Sequence, residues 1–231
     1  HVRTAGRQSK FGISLDQVET AARLANQAGA EVVGLHAHAG SGIRSPDTWA
    51  QTADFLASKA SLFPSLRILD LGGGLGVPEK PGQLPLDLKQ LDSSLSGIRD
   101  RHPDLSLWLE PGRFLVSEAG VLLATVTQTK KKGDVHYVGI DAGMNSLIRP
   151  ALYGAFHAIA NLTRINDAPD QVAHIVGPIC ETGDTLGYQR RIASPREGDV
   201  LLVATAGAYG HSMSSHYNLR PPANEVLLQA T

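Results

Sequence analysis

Apolar positions in the first half of the chain alternate between helical and extended spacing. Leu15, Val18, Ala22 and Ala25 fall three to four apart, the period of one helix face. Ser14 with Gln17 forms a capping box ahead of them, and Gly29 stands where a C-terminal cap belongs. Glu31 to His36 then reads as a strand. Ser45 followed by Pro46 announces a second helix, with Trp49, Ala53, Leu56 and Ala60 on one face. Leu66 to Leu71 reads as a buried strand that ends in Gly72-Gly73-Gly74. The unit then repeats: Asp87 opens a helix with Leu88, Leu91, Leu95 and Ile98 on one stripe, and Leu105 to Leu109 is a strand ending at Glu110-Pro111-Gly112-Arg113. Helix–strand units in series predict parallel strands covered by helices, as in a β/α barrel or a doubly wound sheet.

After about Glu118 the pattern becomes β-rich, with strands expected over Val121 to Thr127, Val135 to Ile140, Gln171 to Val176 and Val200 to Ala204. The expected organisation is an α/β domain over residues 1–118 and an all-β domain over residues 119–231. No internal repeat or low-complexity tract interrupts either part.

Composition narrows the function classes. A formal net charge of -1 with scattered Lys and Arg offers no basic stripe for nucleic acid and no polybasic membrane patch. Nothing resembles a signal peptide or a membrane-spanning run. The single cysteine excludes an internal disulfide and suits a reducing, cytoplasmic setting. The chain begins at His1 without an initiator methionine, which leaves a longer parent protein open.

Polar residues of the first half gather at the C-terminal ends of its strands, where parallel α/β folds place their sites. These ends read His36-Ala37-His38-Ala39-Gly40-Ser41-Gly42, Asp70-Leu71-Gly72-Gly73-Gly74 and Glu110-Pro111-Gly112-Arg113. Glycines let backbone N–H groups approach an anion, and an arginine at a neighbouring strand end can complete a phosphate site. A lone Gly-Gly-Gly is more often just a turn, but polar strand ends in succession favour a phosphorylated ligand. His36 and His38 share a strand face and could begin a metal site. A metal site would need further ligands, and Gly72-Gly73-Gly74 and Glu110-Pro111-Gly112-Arg113 offer only one obvious carboxylate between them, so no metal is expected. One packed histidine and one stacked on an aromatic cofactor is the better account of the pair. In the second half, Gly177-Pro178-Ile179-Cys180-Glu181-Thr182-Gly183-Asp184 sets the cysteine beside a carboxylate in a loop. A lone cysteine is more often a small buried hydrophobe, but a thiol in such a loop can hand a proton to a carbanion.

Together these strings resemble the fold type III pyridoxal phosphate (PLP) decarboxylases, most closely the diaminopimelate decarboxylases. The strings that carry the resemblance are Ser9-Lys10-Phe11-Gly12-Ile13, Gly34 to Gly42, Gly72-Gly73-Gly74-Leu75-Gly76 and Glu110 to Arg113, followed by Asp141 to Asn145, Leu147 to Tyr153, Gly177 to Asp184, and Gly207-Ala208-Tyr209-Gly210 running on to Tyr217-Asn218. They cover nearly the whole chain in the family's order. His1 to Gly6 and Arg149 to Gly154 look most like the enzymes fused to an aspartate kinase.

The resemblance implies the C-terminal part of a PLP-binding (β/α)8 barrel followed by a β-barrel or β-sandwich domain. It implies decarboxylation of meso-2,6-diaminopimelate to L-lysine, the last step of lysine biosynthesis. His38 would stack on the cofactor ring, Ser41, Gly74 and Arg113 would surround its phosphate, and Gly73 and Gly112 would be further cofactor contacts. Glu110 would face the pyridine nitrogen and keep it protonated. Tyr209 would touch cofactor and substrate. A substrate with an amino acid group at each end needs a cation and an anion for the end that does not react; Arg149 and Glu181 fit that need, with Tyr153 and Arg113 as further contacts. Cys180 resembles the acid that delivers the proton. The family pattern also implies a homodimer with shared active sites.

The family holds PLP as a Schiff base on a lysine well upstream of Ser9-Lys10-Phe11-Gly12-Ile13. Lys10 belongs to the later motif, so the expectation is a fragment of an active enzyme, inactive alone, with further sequence also expected after Glu225-Val226-Leu227-Leu228. Ornithine, arginine and carboxynorspermidine decarboxylases would share the cofactor residues, whereas Glu181 and the Arg149 motif favour diaminopimelate. A non-catalytic PLP-binding homologue is the alternative of another class, and a lysine at the end of the first barrel strand would decide against it.

Overall fold

The computed structural model describes residues 9–229, so the motif His1 to Gly6 lies outside the described residues. Two compact units are present: the described residues up to Pro78 with Leu84–Phe114, and Glu79–Gln83 with the described residues from Leu115 onward. Among the described residues no helix is long and apolar enough to cross a membrane.

The first unit runs α1 (Val18–Gln27), β1 (Gly34–His36), α2 (Asp47–Ala57), β2 (Ile68–Asp70), α3 (Leu88–Arg101), β3 (Ser106–Trp108) and the start of α4 (Gly112–Val116). Gly29 ends α1 as expected: at φ +68° its N–H donates to Asn26 O at 3.0 Å while Ala30 N–H donates to Ala25 O at 2.9 Å. These paired bonds are the Schellman closure. The start differs from expectation. Ser14 makes no side-chain cap; instead Gln17 N–H donates to the Ser14 carbonyl at 2.8 Å, and a turn of 3-10 helix (Leu15–Gln17) leads into α1. Asp87 does cap α3, accepting from Lys89 N–H at 2.9 Å and Gln90 N–H at 3.0 Å.

The strands are parallel in the order β1-β2-β3, with His36 opposite Asp70 and Asp70 opposite Trp108. All three are shorter than the sequence suggests, although ladder-like bonds continue past them: Ala37 N–H donates to Asp70 O and Leu71 N–H to Trp108 O, both at 2.9 Å. Trp49, Ala53 and Leu56 of α2 and Leu91 and Ile98 of α3 pack with Leu69 and Leu71 into one core. That core is the reason the spaced apolar residues form helices here.

The second unit contains β4 (Leu122–Lys132), β5 (Val135–Ile140), α5 (Arg149–Tyr153), β6 (Ile159–Asn161), β7 (Gln171–Val176), β8 (Thr185–Ile192) and β9 (Val200–Val203). They form a six-stranded sheet ordered β6-β9-β4-β5-β7-β8, antiparallel except for β5 with β7. The sheet nearly closes on itself. Gly187 of β8 lies so near β6 that a Cβ there would stand 2.8 Å from the Ile159 side chain. Inside, Val126, Val138, Ile140, Ile175, Leu186, Ile192, Leu201 and Val203 are buried together, the inward half of an alternating pattern. Buried Asp199 ties the segment after β6 to the segment before β9, accepting from Asn161 Nδ2 at 2.9 Å, Arg164 Nε at 2.8 Å and Arg196 N–H at 2.9 Å.

Candidate active site

The parallel register brings the polar strand ends of the α/β unit to one edge. Behind β1, Gly40 and Gly42 take positive φ of 141° and 71°, with exposed Ser41 between them. Behind β2, Gly72 and Gly74 take 67° and 87°. The loops nest without room for side chains. A Cβ on Gly73 would collide with the Glu110 carbonyl and one on Gly74 with the Gly40 carbonyl, while one on Gly72 would stand 2.9 Å from the His38 ring. Ile43 N–H donates to Gly74 O at 2.8 Å and Glu110 N–H to Gly72 O at 2.9 Å, so the three loops are fastened through backbone. From below, Trp49 Nε1–H donates to Gly73 O at 3.3 Å. The Arg113 guanidinium reaches the Gly42 turn, 3.9 Å from where a Cβ would be. Glycine backbone facing an arginine suits an anionic oxygen cluster. Gly112 opens α4 and has open space about its Cα.

His38 accepts at Nδ1 from Gly73 N–H at 3.2 Å, so its ring proton belongs on Nε2. His36 does not behave as a packed histidine: its side chain is half exposed, and Nε2 lies 3.5 Å from Glu110 Oε2. Asp70 at the end of β2 is a second carboxylate that the sequence reading did not count. It accepts from Gly72 N–H at 3.0 Å and joins His36 and Glu110 in a group whose ligand atoms lie within 4.8 Å of one another, close enough to share a cation. Parallel strand register brings the three together, a proximity that shows only when adjacent strand ends are aligned across the sheet.

The β unit presents a different construction. The loop from Gly177 to Asp184 is closed by Gly177 N–H to Asp184 O at 3.0 Å and Asp184 N–H to Glu181 O at 3.1 Å. The Asp184 side chain is buried beneath it and accepts from Ile179 N–H at 2.7 Å and from Met144 N–H at 2.6 Å. Burial pushes the Asp184 carboxyl above its ordinary range, and the two N–H bonds oppose that rise. Gly143 and Gly177 are required by the same carboxylate, since a Cβ on Gly143 would lie 2.7 Å from it and one on Gly177 would collide with it. Cys180 and Glu181 are held at the exposed tip, and Glu181 Oε2 accepts from the Tyr217 hydroxyl at 3.1 Å.

Arg149 opens α5 and is buried, with Nη2 at 3.1 Å from Glu79 Oε1 and Nη1 at 3.0 Å from His157 Nε2. His157 Nδ1 lies 2.9 Å from Ala204 O, a bond that only a protonated Nδ1 can make, so Nε2 accepts from the arginine. A guanidinium carries five N–H donors, and these two contacts hold it without exhausting it. Tyr153 stands one turn on along α5, partly exposed, before the left-handed cap at Gly154. Tyr209 is half exposed with φ 58°, a left-handed conformation unusual for tyrosine. The α/β unit thus gathers His38, Gly73, Gly74, Glu110 and Arg113, and the β unit pairs Cys180 with Glu181. Sequence reading gave no role to Asp184, Tyr217, Glu79 or His157.

A family model described as "Pyridoxal-dependent decarboxylase, pyridoxal binding domain" matches residues 1–117, and one described as "Pyridoxal-dependent decarboxylase, C-terminal sheet domain" matches residues 86–207. The diaminopimelate decarboxylase of Methanothermobacter thermautotrophicus is 38% identical over 99% of this chain and 56% of its own length. That of Neisseria meningitidis serogroup A is 41% identical over 99% of this chain and 56% of its own. The crystal structure of diaminopimelate decarboxylase from Helicobacter pylori complexed with L-lysine superposes with a TM-score of 0.82 at 32% identity, covering 94% of this chain and 54% of that one. The chain therefore spans somewhat more than half the length of these relatives. With one family model on the α/β half and another reaching through most of the sheet, this chain belongs to the pyridoxal-dependent decarboxylases.

Proposed function

We propose that the whole protein is a cytoplasmic PLP-dependent carboxy-lyase that converts meso-2,6-diaminopimelate to L-lysine. The observation that carries this reading is the tip of the Gly177 to Asp184 loop, where a thiol and a carboxylate stand side by side on a support that fixes both. The nested glycines and Arg113 fit the phosphate of the cofactor, and a Cβ would fill that cradle. When bound, the cofactor supplies an electron sink for the pair left behind as carbon dioxide departs. Around it, Ser41, Gly74 and Arg113 would hold the phosphate, Gly73 and Gly112 would be further cofactor contacts, His38 would hold the ring face and Glu110 the ring nitrogen, with Tyr209 beside both cofactor and substrate.

The remaining residues act on the substrate. Arg149 would receive the distal carboxylate and Glu181 the distal ammonium, with Tyr153 and Arg113 as further contacts. Cys180 Sγ–H would hand its proton to the carbon that has lost its carboxylate. Glu79 and His157 give Arg149 one orientation, so the cost of ordering a long side chain is met on folding rather than on binding.

In the full-length holoenzyme, Glu181→Ala and Arg149→Ala each leave one distal charge unpaired, a loss of about 2–5 kcal/mol. The Michaelis constant for meso-diaminopimelate should rise while the cofactor absorbance is retained. Wild-type kinetics in either variant, or a preference for ornithine in the parent, would refute the assignment. The protein should also act as a homodimer with shared active sites. Mixing an inactive Cys180→Ala protein with one lacking the cofactor lysine should restore activity once subunits exchange, toward about a quarter of wild type. No recovery after proven exchange would refute sharing.

A further inference from the structure

Glu181 is an exposed carboxylate at a loop tip, where only a fixed partner can aim it. Tyr217, 36 positions later, donates its hydroxyl to Glu181 Oε2 at 3.1 Å. The segment that carries Tyr217 is strapped down on both sides. Ser215 N–H donates to Asn145 O at 2.9 Å, buried Asn145 donates from Nδ2 to the carbonyls of Arg220 at 3.3 Å and Pro221 at 3.1 Å, and Ala223 N–H donates to Ser146 Oγ at 3.0 Å. Between these straps Asn218 and Leu219 both take positive φ, 55° and 58°. Two successive non-glycine residues in that region persist only where surrounding contacts hold them.

Asn145 and Ser146 follow directly on Met144, whose N–H is fixed by Asp184. The acidic loop and the tyrosine segment therefore hang from one short stretch, residues 144 to 146, and meet again where Tyr217 touches Glu181. This is a closed ring of hydrogen bonds with the carboxylate at its tip. The bond and the charge of Glu181 also raise the Tyr217 hydroxyl above its ordinary pKa, so it remains a donor at neutral pH.

We propose that Tyr217 is a positioning residue that orients Glu181 for the distal ammonium of the substrate, and so sets selectivity for a substrate charged at both ends. The inference rests on the assignment of Glu181 to that ammonium. A hydrogen bond to a charged group is lost if the hydroxyl is removed, and the carboxylate then samples other rotamers.

The test uses the full-length holoenzyme and its Tyr217→Phe variant, with kcat and KM measured on meso-diaminopimelate and on 2-aminopimelate, which lacks the distal ammonium. The ratio of the two kcat/KM values should fall about tenfold in the variant, through KM for diaminopimelate, while kcat and both constants for 2-aminopimelate stay nearly unchanged. In a Glu181→Gln background, adding Tyr217→Phe should leave the ratio as it was. An unchanged ratio in the single variant, or an equal fall on both substrates, overturns the role of Tyr217. If the parent itself does not prefer diaminopimelate over 2-aminopimelate, the Glu181 assignment fails, and the proposal fails with it.

Discussion

The two units hold their functional groups by opposite means. In the α/β unit the strand-end loops are shaped by what is missing: Gly72, Gly73 and Gly74 pack against His38 and the carbonyls of Glu110 and Gly40 with no space for a Cβ. In the β unit the Cys180 loop is shaped by what is present, a buried carboxylate that collects N–H groups from two segments. A cradle made of backbone has one geometry and tolerates no side chain. A loop hung on a side chain can be loosened or protonated one bond at a time. The difference predicts where the molecule is brittle and where it can be tuned.

The largest effect is expected at Gly74. Alanine there must adopt φ +87° and drive its Cβ into the Gly40 carbonyl. The backbone term costs about 1–2 kcal/mol and the overpacking about 1–3 kcal/mol more. In the whole protein Gly74→Ala should lower the unfolding temperature and abolish tight PLP binding. Gly12→Ala is the control, since Gly12 has similar φ, +80°, but open space around it; about 1 kcal/mol is expected and cofactor affinity should not change. Equal effects from the two substitutions would show that conformation alone, not the close approach of loops, shapes the cradle.

How much of this was legible beforehand follows the same division. Local signals read well: Gly29 and Asp87 cap their helices, and β5 and β7 have the bounds that alternation predicts. Strand β8 is harder, because Gly187 exists for the close approach to Ile159, Gln189 takes φ 49°, and Arg190 spreads its guanidinium over the Phe156 ring, 3.7 Å from its centroid. Those features break the expected pattern for reasons set by distant chain. The cradle residues were legible because glycine runs at strand ends are local. Asp70, Glu79, Asp184 and Tyr217 were not assigned roles, since their partners are fixed by sheet register or lie up to 70 residues away.

A middle-sized effect is expected from Asp184→Asn. One amide oxygen cannot replace two carboxylate oxygens, so either Ile179 N–H or Met144 N–H faces an NH2 group, at a cost of about 1–3 kcal/mol. Amide hydrogen exchange should quicken at one of these two positions, and alkylation of Cys180, the only cysteine in the chain, should accelerate. The α/β cradle should be unaffected. Unchanged exchange at both amides would mean that the loop is held by its own turn bonds and not by the carboxylate.

The smallest effect separates two buried aspartates within the β unit. Burial raises Asp184, whereas for Asp199 burial acts upward but is outweighed by bonds from Asn161, Arg196 and Arg164 and by the charge of Arg164, so its carboxyl lies below the ordinary range. The signs differ accordingly. A lowered folded pKa contributes stability that is present above the unfolded value and lost as pH falls through the folded one. A raised folded pKa contributes stability that is present below the unfolded value and lost as pH rises through the folded one. Asp199→Asn should therefore cost about 1 kcal/mol at neutral pH and flatten the loss of stability on acidification, because the variant has no charge there to lose. Asp184→Asn should instead flatten the decline toward neutral pH from the acid side. Unfolding followed by denaturant titration across the acid range checks both, and the comparison breaks if the two variants change the pH profile in the same direction. Arg164 is partly exposed, so added salt should shrink the Asp199 effect, whereas the bonds that Met144 N–H and Ile179 N–H donate to Asp184 involve no second ion and should be less sensitive.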